Sequence, residues 1–254
     1  MFTPDLIFAF LTLTFLEIIL GIDNIIFISI LASRFPEADR KKLMRVGLLL
    51  AMLMRILLLM GINWLVQMQV SLFSFSWNWI SSEVSIQSII LLSGGLFLLY
   101  KSTREIYEKA EGFGENESGV SSNKLTFSRA LVQIVLIDIV FSFDSILTAV
   151  GMTNGIPYAL PIMVAAVVLA ILIMMIFAAP VSRYINDHPS LQILGLSFLL
   201  LIGFMLITEA AHLSQTTIFG ASIGVIPKGY LYFAIAFSLG VEMINMRFRK
   251  KKKD

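Results

Sequence analysis

Apolar residues run in seven long blocks, at about 6–32, 46–66, 84–100, 130–151, 158–180, 191–208 and 228–246, and most charged residues fall between them. A helix needs about 20 mostly apolar residues to cross the hydrocarbon core of a bilayer. The pattern therefore predicts an all-α, polytopic membrane protein of about seven transmembrane helices, with the third and sixth blocks the shortest. Composition agrees. Of 254 residues, 57% are hydrophobic and 14% are charged, against about 25% charged in ordinary soluble domains. The mean hydropathy is +0.87. The first block has no basic residues ahead of it and contains Glu17 and Asp23, so it is expected to be a retained helix and not a cleaved signal peptide. Cysteine is absent, which excludes disulfides, thiolate metal sites and cysteine catalysis.

The net charge of +2 conceals an asymmetry. With seven spans, alternate loops share a side of the membrane. One side receives Arg34, Arg40, Lys41, Lys42 and Arg45, then Lys101, Arg104, Lys109, Lys124 and Arg129, then Arg183 and the basic tail. Together these are 17 of the 19 lysines and arginines. The other side has Lys228 alone, and Arg55 lies inside the second block. The positive-inside rule then puts the C-terminus in the cytoplasm and the N-terminus outside. Trp64, Trp77 and Trp79 all fall near one outer loop, where interfacial anchors are expected. The tail of 247–254 is read as a topology or membrane-surface element, not as a nucleic-acid-binding one.

Two blocks share a polar motif. Residues 16–26 read LEIILGIDNII and residues 137–147 read IDIVFSFDSIL. Without a gap, Glu17 matches Asp138, Gly21 matches Ser142, Asp23 matches Asp144 and Asn24 matches Ser145. Apolar matches are uninformative in membrane helices, but a repeated pair of acids is not. The third and sixth blocks match more weakly, through Gln87 and Gln192 and through the glycines at 95 and 203. An odd number of spans separates the copies, so the second copy enters the membrane from the opposite side, as in inverted-repeat transporters. The expected organisation is a single transmembrane domain: a first repeat at 1–110, a polar glycine/serine-rich cytoplasmic linker at 111–128, and a second repeat plus one extra helix at 129–246, ahead of the basic tail. A tandem duplication kept only for packing is the alternative.

A carboxylate near mid-membrane costs several kcal/mol, roughly 3 on insertion scales. Four acids sit inside the apolar blocks: Glu17, Asp23, Asp138 and Asp144. Arg55 can pair with only part of this charge, with Glu17 or Asp144 the nearer partners by depth. The rest must be offset by protons or by a bound cation. At ~1.5 Å per residue the acids fall into two layers, Asp23 with Asp138 and Glu17 with Asp144. Gly21 and Ser142 between the acids allow either close helix approach or a local break. The candidate metal ligands are Glu17, Asp23, Asn24, Asp138, Asp144 and Ser145, an all-oxygen set that suits a hard cation such as Mg²⁺, Ca²⁺ or Mn²⁺. His188 and His212 lie near block ends and read as surface residues, and the methionines as packing or lipid-facing residues. Glu209, Glu242 and Asn245 occupy late positions in the last two blocks, with roles left open. No nucleophile–base constellation and no phosphate loop appear, so neither enzyme activity nor ATP-driven transport is expected.

The acidic stretches LEIILGIDNIIFISIL (16–31) and VLIDIVFSFDSILTAVGMT (135–153) resemble the TerC family of membrane proteins. MMIFAAPVSRYI (174–185), SFLLLIGFMLITE (197–209) and IPKGYLYFAIAFSLGVEMIN (226–245) extend the resemblance over nearly the whole chain. It implies manganese export, a historical link to tellurite resistance, and kinship with exporters of the LysE type. It also implies that Asp23, Asn24, Asp138 and Asp144, with Glu17 beside them, serve metal binding. The expected function is secondary export of a divalent cation, Mn²⁺, across the bacterial cytoplasmic membrane. Mn²⁺ is then cargo, no cofactor is required, and the partners are the cation and the lipid bilayer. Amino-acid or proton transport, and a non-transporting scaffold, are the rivals.

Overall fold

The computed structural model describes residues 4–111, 126–153 and 158–251. The polar core of the linker therefore lies outside the described residues. In chain order the elements are α1 (Pro4–Ala32), α2 (Glu37–Met60), α3 (Ile62–Gln67), β1 (Ser71–Trp77), β2 (Ile80–Ser85), α4 (Ile86–Ala110), α5 (Phe127–Thr153), α6 (Ala159–Asp187), α7 (Pro189–Leu213), β3 (Thr217–Ile218), β4 (Ala221–Ser222) and α8 (Lys228–Lys251). Seven of the helices are long and apolar enough to span a membrane: α1, α2, α4, α5, α6, α7 and α8.

Helix ends follow local chemistry. Pro36 precedes α2, and Glu37 and Asp39 occupy its first turn, where the positive end of the helix dipole favours them. The apolar block at 46–66 does not form one helix: the chain turns at Gly61, which separates α2 from α3. At the start of α4, Ser85 and Ser88 form a reciprocal capping box. Pro189 opens α7 at a position where its missing N–H is not needed.

The chain divides into two compact units, each drawing on both sides of the linker. The first holds α1, α2, α3, α5 and α6. Here α1 packs on α6 and α2 on α5. Gly21 faces Met174 and Ser29 Oγ donates to Ser182 Oγ at 2.8 Å, so α1 and α6 run parallel. Gly47 faces Ile134 and Arg55 bonds Asp138, so α2 and α5 also run parallel. α1 and α5 are antiparallel, as the contacts between them show below. Leu13, Leu31, Leu59, Ile134, Ile146 and Ile171 fill this core. Phe8, Leu11 and Phe15 on α1 and Ile176 and Phe177 on α6 face outward, as lipid-facing residues do.

The second unit holds β1, β2, α4, α7, β3, β4 and α8. α4 and α7 are antiparallel: Lys109 donates to Gln192 at one end, and the Glu83 N–H donates to the Ser214 carbonyl, at 2.7 Å, near the other. Their crossing is built on two glycines. A Cβ on Gly95 would lie 2.7 Å from the Gly203 carbonyl oxygen and 3.2 Å from the Ile207 nitrogen. A Cβ on Gly203 would lie 3.0 Å from the Gly95 carbonyl oxygen and 3.2 Å from the Leu99 nitrogen. The contacts are reciprocal, since Leu99 and Ile207 each sit four residues past their glycine. The four strands form one antiparallel sheet in the order β1-β2-β3-β4. β1 lies at an edge with every residue exposed, and Phe73, Phe75 and Trp77 alternate with serines. Phe219 and Gly220 join β3 to β4 with φ of 52° and 79°, the signs that a type I′ hairpin turn requires.

Candidate functional site

In the first unit, Glu17, Asn24, Arg55, Asp138, Ser142 and Ser145 cluster between α1, α2 and α5. Arg55 is the largest fully buried side chain, 2% exposed. Its position more than three-quarters of the way along α2 aims a guanidinium between α1 and α5. Nη1 donates to Glu17 Oε2. On the other side, Nη2 donates to Asp138 Oδ1 at 2.9 Å, and Nε lies 3.2 Å and 3.4 Å from Oδ1 and Oδ2. Glu17 and Asp138 are buried as deeply as Arg55. Their separate burial would be very costly, and the shared guanidinium offsets that cost with charge-assisted hydrogen bonds.

Beside each acid lies a matched neutral residue of the opposite helix. Asn24 Nδ2 donates to Asp138 Oδ1 at 2.8 Å. Ser145 lies beside Glu17, and its hydroxyl donates to the Ser142 carbonyl at 3.3 Å. Asn24 meets Asp138, while Leu13 and Glu17 line one cavity with Ile146 and Ala149, so α1 and α5 are antiparallel. The spacing explains the geometry. Seven residues on a helix are close to two full turns, so Glu17 and Asn24 share a face, as do Asp138 and Ser145. Ser142, midway, donates to Asp138 Oδ2 at 3.3 Å and is completely buried. Its matched residue, Gly21, admits Met174 of α6, whose sulfur would lie 2.1 Å from a Cβ there. Of the two roles open to these small residues, close approach is the one taken, because α1 and α5 are each one uninterrupted helix.

Four predicted ligands, Glu17, Asn24, Asp138 and Ser145, therefore come together. The side chains of Asp23 and Asp144 lie outside those described. Arg55 meets Glu17 as expected, but its second partner is Asp138, which the depth estimate had placed in the other layer. The guanidinium is long enough to reach both layers. Among the described residues no three acidic or histidine side chains come close enough together to hold a metal ion. A small cavity touches Glu17 on the side of Leu13, Ile146, Ala149 and Ala166, with about 10 Å³ of room, enough for about one water molecule. Glu209 and Glu242, both half-buried, belong to α7 and α8 of the second unit. His212 is exposed, with Nδ1 3.1 Å from the Ile223 carbonyl.

A buried, oxygen-rich cluster on membrane-length helices narrows the comparison with known proteins. The model of the integral membrane protein TerC family matches residues 2–254. The chain belongs to the TerC family. Among its relatives is a Haemophilus influenzae protein named UPF0053 protein, 44% identical over 98% of this chain and 97% of its own length. The Escherichia coli UPF0053 inner membrane protein YgdQ is 43% identical over 98% of this chain and 95% of its own length. The TerC region also occurs within longer proteins: Escherichia coli YegH is 44% identical over 95% of this chain, which covers 42% of YegH. No solved structure matches this TerC chain. The protein is thus an integral membrane protein with seven membrane-length helices, from a family whose named relatives include inner membrane proteins.

Proposed function

We propose that this TerC protein is a secondary transporter that exports a divalent cation, Mn²⁺, across the bacterial cytoplasmic membrane. One observation carries the reading: matched acids of two antiparallel helices, Glu17 and Asp138, are buried together with the oxygen-bearing side chains of Asn24 and Ser145. Buried ionisable groups of this kind mark ion pathways in membrane proteins. Carboxylate, amide and hydroxyl oxygens suit a hard divalent cation. Asp23 and Asp144, the remaining matched acids of the motif, add charge that Arg55 alone cannot neutralise.

The reading includes an inverted repeat, with α1, α2 and α4 related to α5, α6 and α7. Three sets of contacts support it. Asn24 bonds Asp138 and Ser145 lies beside Glu17, which are matched positions with the copies exchanged. The parallel pairs α1–α6 and α2–α5 exchange in the same way. Gly95 and Gly203, matched in the sequence, touch each other reciprocally. The orientation proposed with it keeps the C-terminus cytoplasmic, on the strength of the lysine and arginine distribution. Proton exchange or the membrane potential supplies the driving force.

A second reading has one observation in its favour. The Arg55 cluster is well satisfied by internal hydrogen bonds, as a purely structural network in a non-transporting scaffold would be. Asp23→Asn and Asp144→Asn separate the two readings. Each change keeps size and polarity, and a neutral amide is easier to bury than a carboxylate. Cells sensitised to manganese should accumulate either variant protein normally yet lose Mn²⁺ export. Full export by a well-expressed variant removes that aspartate from the site. Export tolerant of both changes favours the scaffold.

A further inference from the structure

We propose that Arg55 is a resident counter-cation, and that the transported ion binds by displacing its guanidinium from Glu17 and Asp138. The inference rests on the export reading and deepens it by naming what holds the site between transport events. Three of the four carboxylate oxygens of Glu17 and Asp138 are already in use. Asp138 Oδ1 accepts from Asn24 and from two guanidinium nitrogens, and Oδ2 from Ser142. Glu17 Oε2 accepts from Arg55. A hard cation sits roughly 2.0–2.6 Å from its carboxylate oxygens. At that distance it takes the lone pairs that the guanidinium now occupies. Two positive groups cannot share such a site comfortably, because a buried pair is little screened by solvent or salt.

The symmetry of the contacts adds a second reason. A structural arginine would serve whichever acid lies near it. Arg55 instead spans two acids that correspond to each other in the two copies, while the stretch of α6 before Pro180 carries no charged residue to match it. One cation thus stands where both copies present their carboxylates, which is where a single transported ion would be held.

Purified protein in lipid nanodiscs, with Mn²⁺ as the probe, tests this. Mn²⁺ affinity and the Mn²⁺-induced rise in Tm are measured for the wild type, Arg55→Gln and Arg55→Lys, and flux is measured in proteoliposomes. Arg55→Gln removes the competitor, so it should bind Mn²⁺ at least about tenfold tighter, gain a larger Tm rise on Mn²⁺ addition, and release the ion more slowly, with reduced flux. Arg55→Lys keeps the charge but loses the two-sided fork, so its affinity should rise less. If Arg55→Gln does not accumulate, Arg55→Lys decides alone: affinity equal to or below the wild type overturns the proposal. Unchanged or weaker binding by Arg55→Gln overturns it too, while wild-type binding and flux leave the export reading standing. Failure of every form to bind or move Mn²⁺ overturns the export reading and this inference with it.

Discussion

Replacing Gly95 by alanine should force α4 and α7 apart. The added Cβ would sit 2.7 Å from the Gly203 carbonyl oxygen and 2.8 Å from Ile207 Cγ1. Ordinary contact begins near 3.4 Å, and a backbone oxygen has no rotamer to escape into. The helices must separate by roughly 0.5 Å or more, at an overpacking cost of about 1–3 kcal/mol. Alanine returns about 1 kcal/mol through its better helix propensity. The net loss is about 0–2 kcal/mol. Gly203→Ala meets backbone at 3.0 Å and should lose less. Gly21→Ala has the closest approach of the three, 2.1 Å, but to the Met174 sulfur. A thioether on three rotatable bonds swings aside, so this change should be neutral or slightly stabilising. Gly95→Ala with Gly203→Ala should cost less than the sum of the two, because one separation of the helices accommodates both methyls. Heating in detergent followed by size-exclusion chromatography gives the apparent Tm of each variant. A Gly21→Ala protein less stable than Gly95→Ala would refute the reasoning, since proximity alone would then set the cost.

Two further outcomes follow from the charges and the site. A reporter fused after Asp254 should be active only in its cytoplasmic form, and one inserted near Ser71 only in its external form; swapped results would reverse the orientation. Asn24→Ala removes a buried donor to Asp138, so it should lower stability by about 1.5–3 kcal/mol, the range for hydrogen bonds to charged groups. An unchanged apparent Tm would mean that Asp138 is satisfied without it.

Much of the fold was legible because a bilayer leaves so few options. Every one of the seven apolar blocks corresponds to a membrane-length helix. The errors sit where apolarity stops being the governing signal. α2 begins at Glu37, well ahead of the apolar block, because an acid-rich first turn stabilises a helix start whatever its hydropathy. The same block ends early because Gly61 turns the chain between α2 and α3. The segment 71–85 reads as an outer loop, yet SLFSFSW and ISSEVS alternate large and small residues as strands do. A period of two is present there, in a segment flanked by apolar runs of helical length. The 210–225 stretch holds the strands that complete the same sheet.

The site was legible in its residues and less so in its pairing. Acids six apart recur in both copies, but six residues leave two side chains about 120° apart on a helix. The spacing that brings side chains together is seven. Glu17 with Asn24, and Asp138 with Ser145, each share a face, and Gly21 and Ser142 lie between them on the same stripe. Reading the motif at i, i+4 and i+7 would have singled out these six residues as the α1–α5 interface. Arg55 needed a different argument. Depth alone assigns an arginine to one layer, yet a guanidinium is a planar fork whose two edges engage carboxylates on opposite sides. That is why it bridges Glu17 and Asp138, where a point charge would have chosen one. The same property makes the bridge a poor permanent fixture in a cation site: every hydrogen bond it makes occupies an oxygen that a transported ion would use.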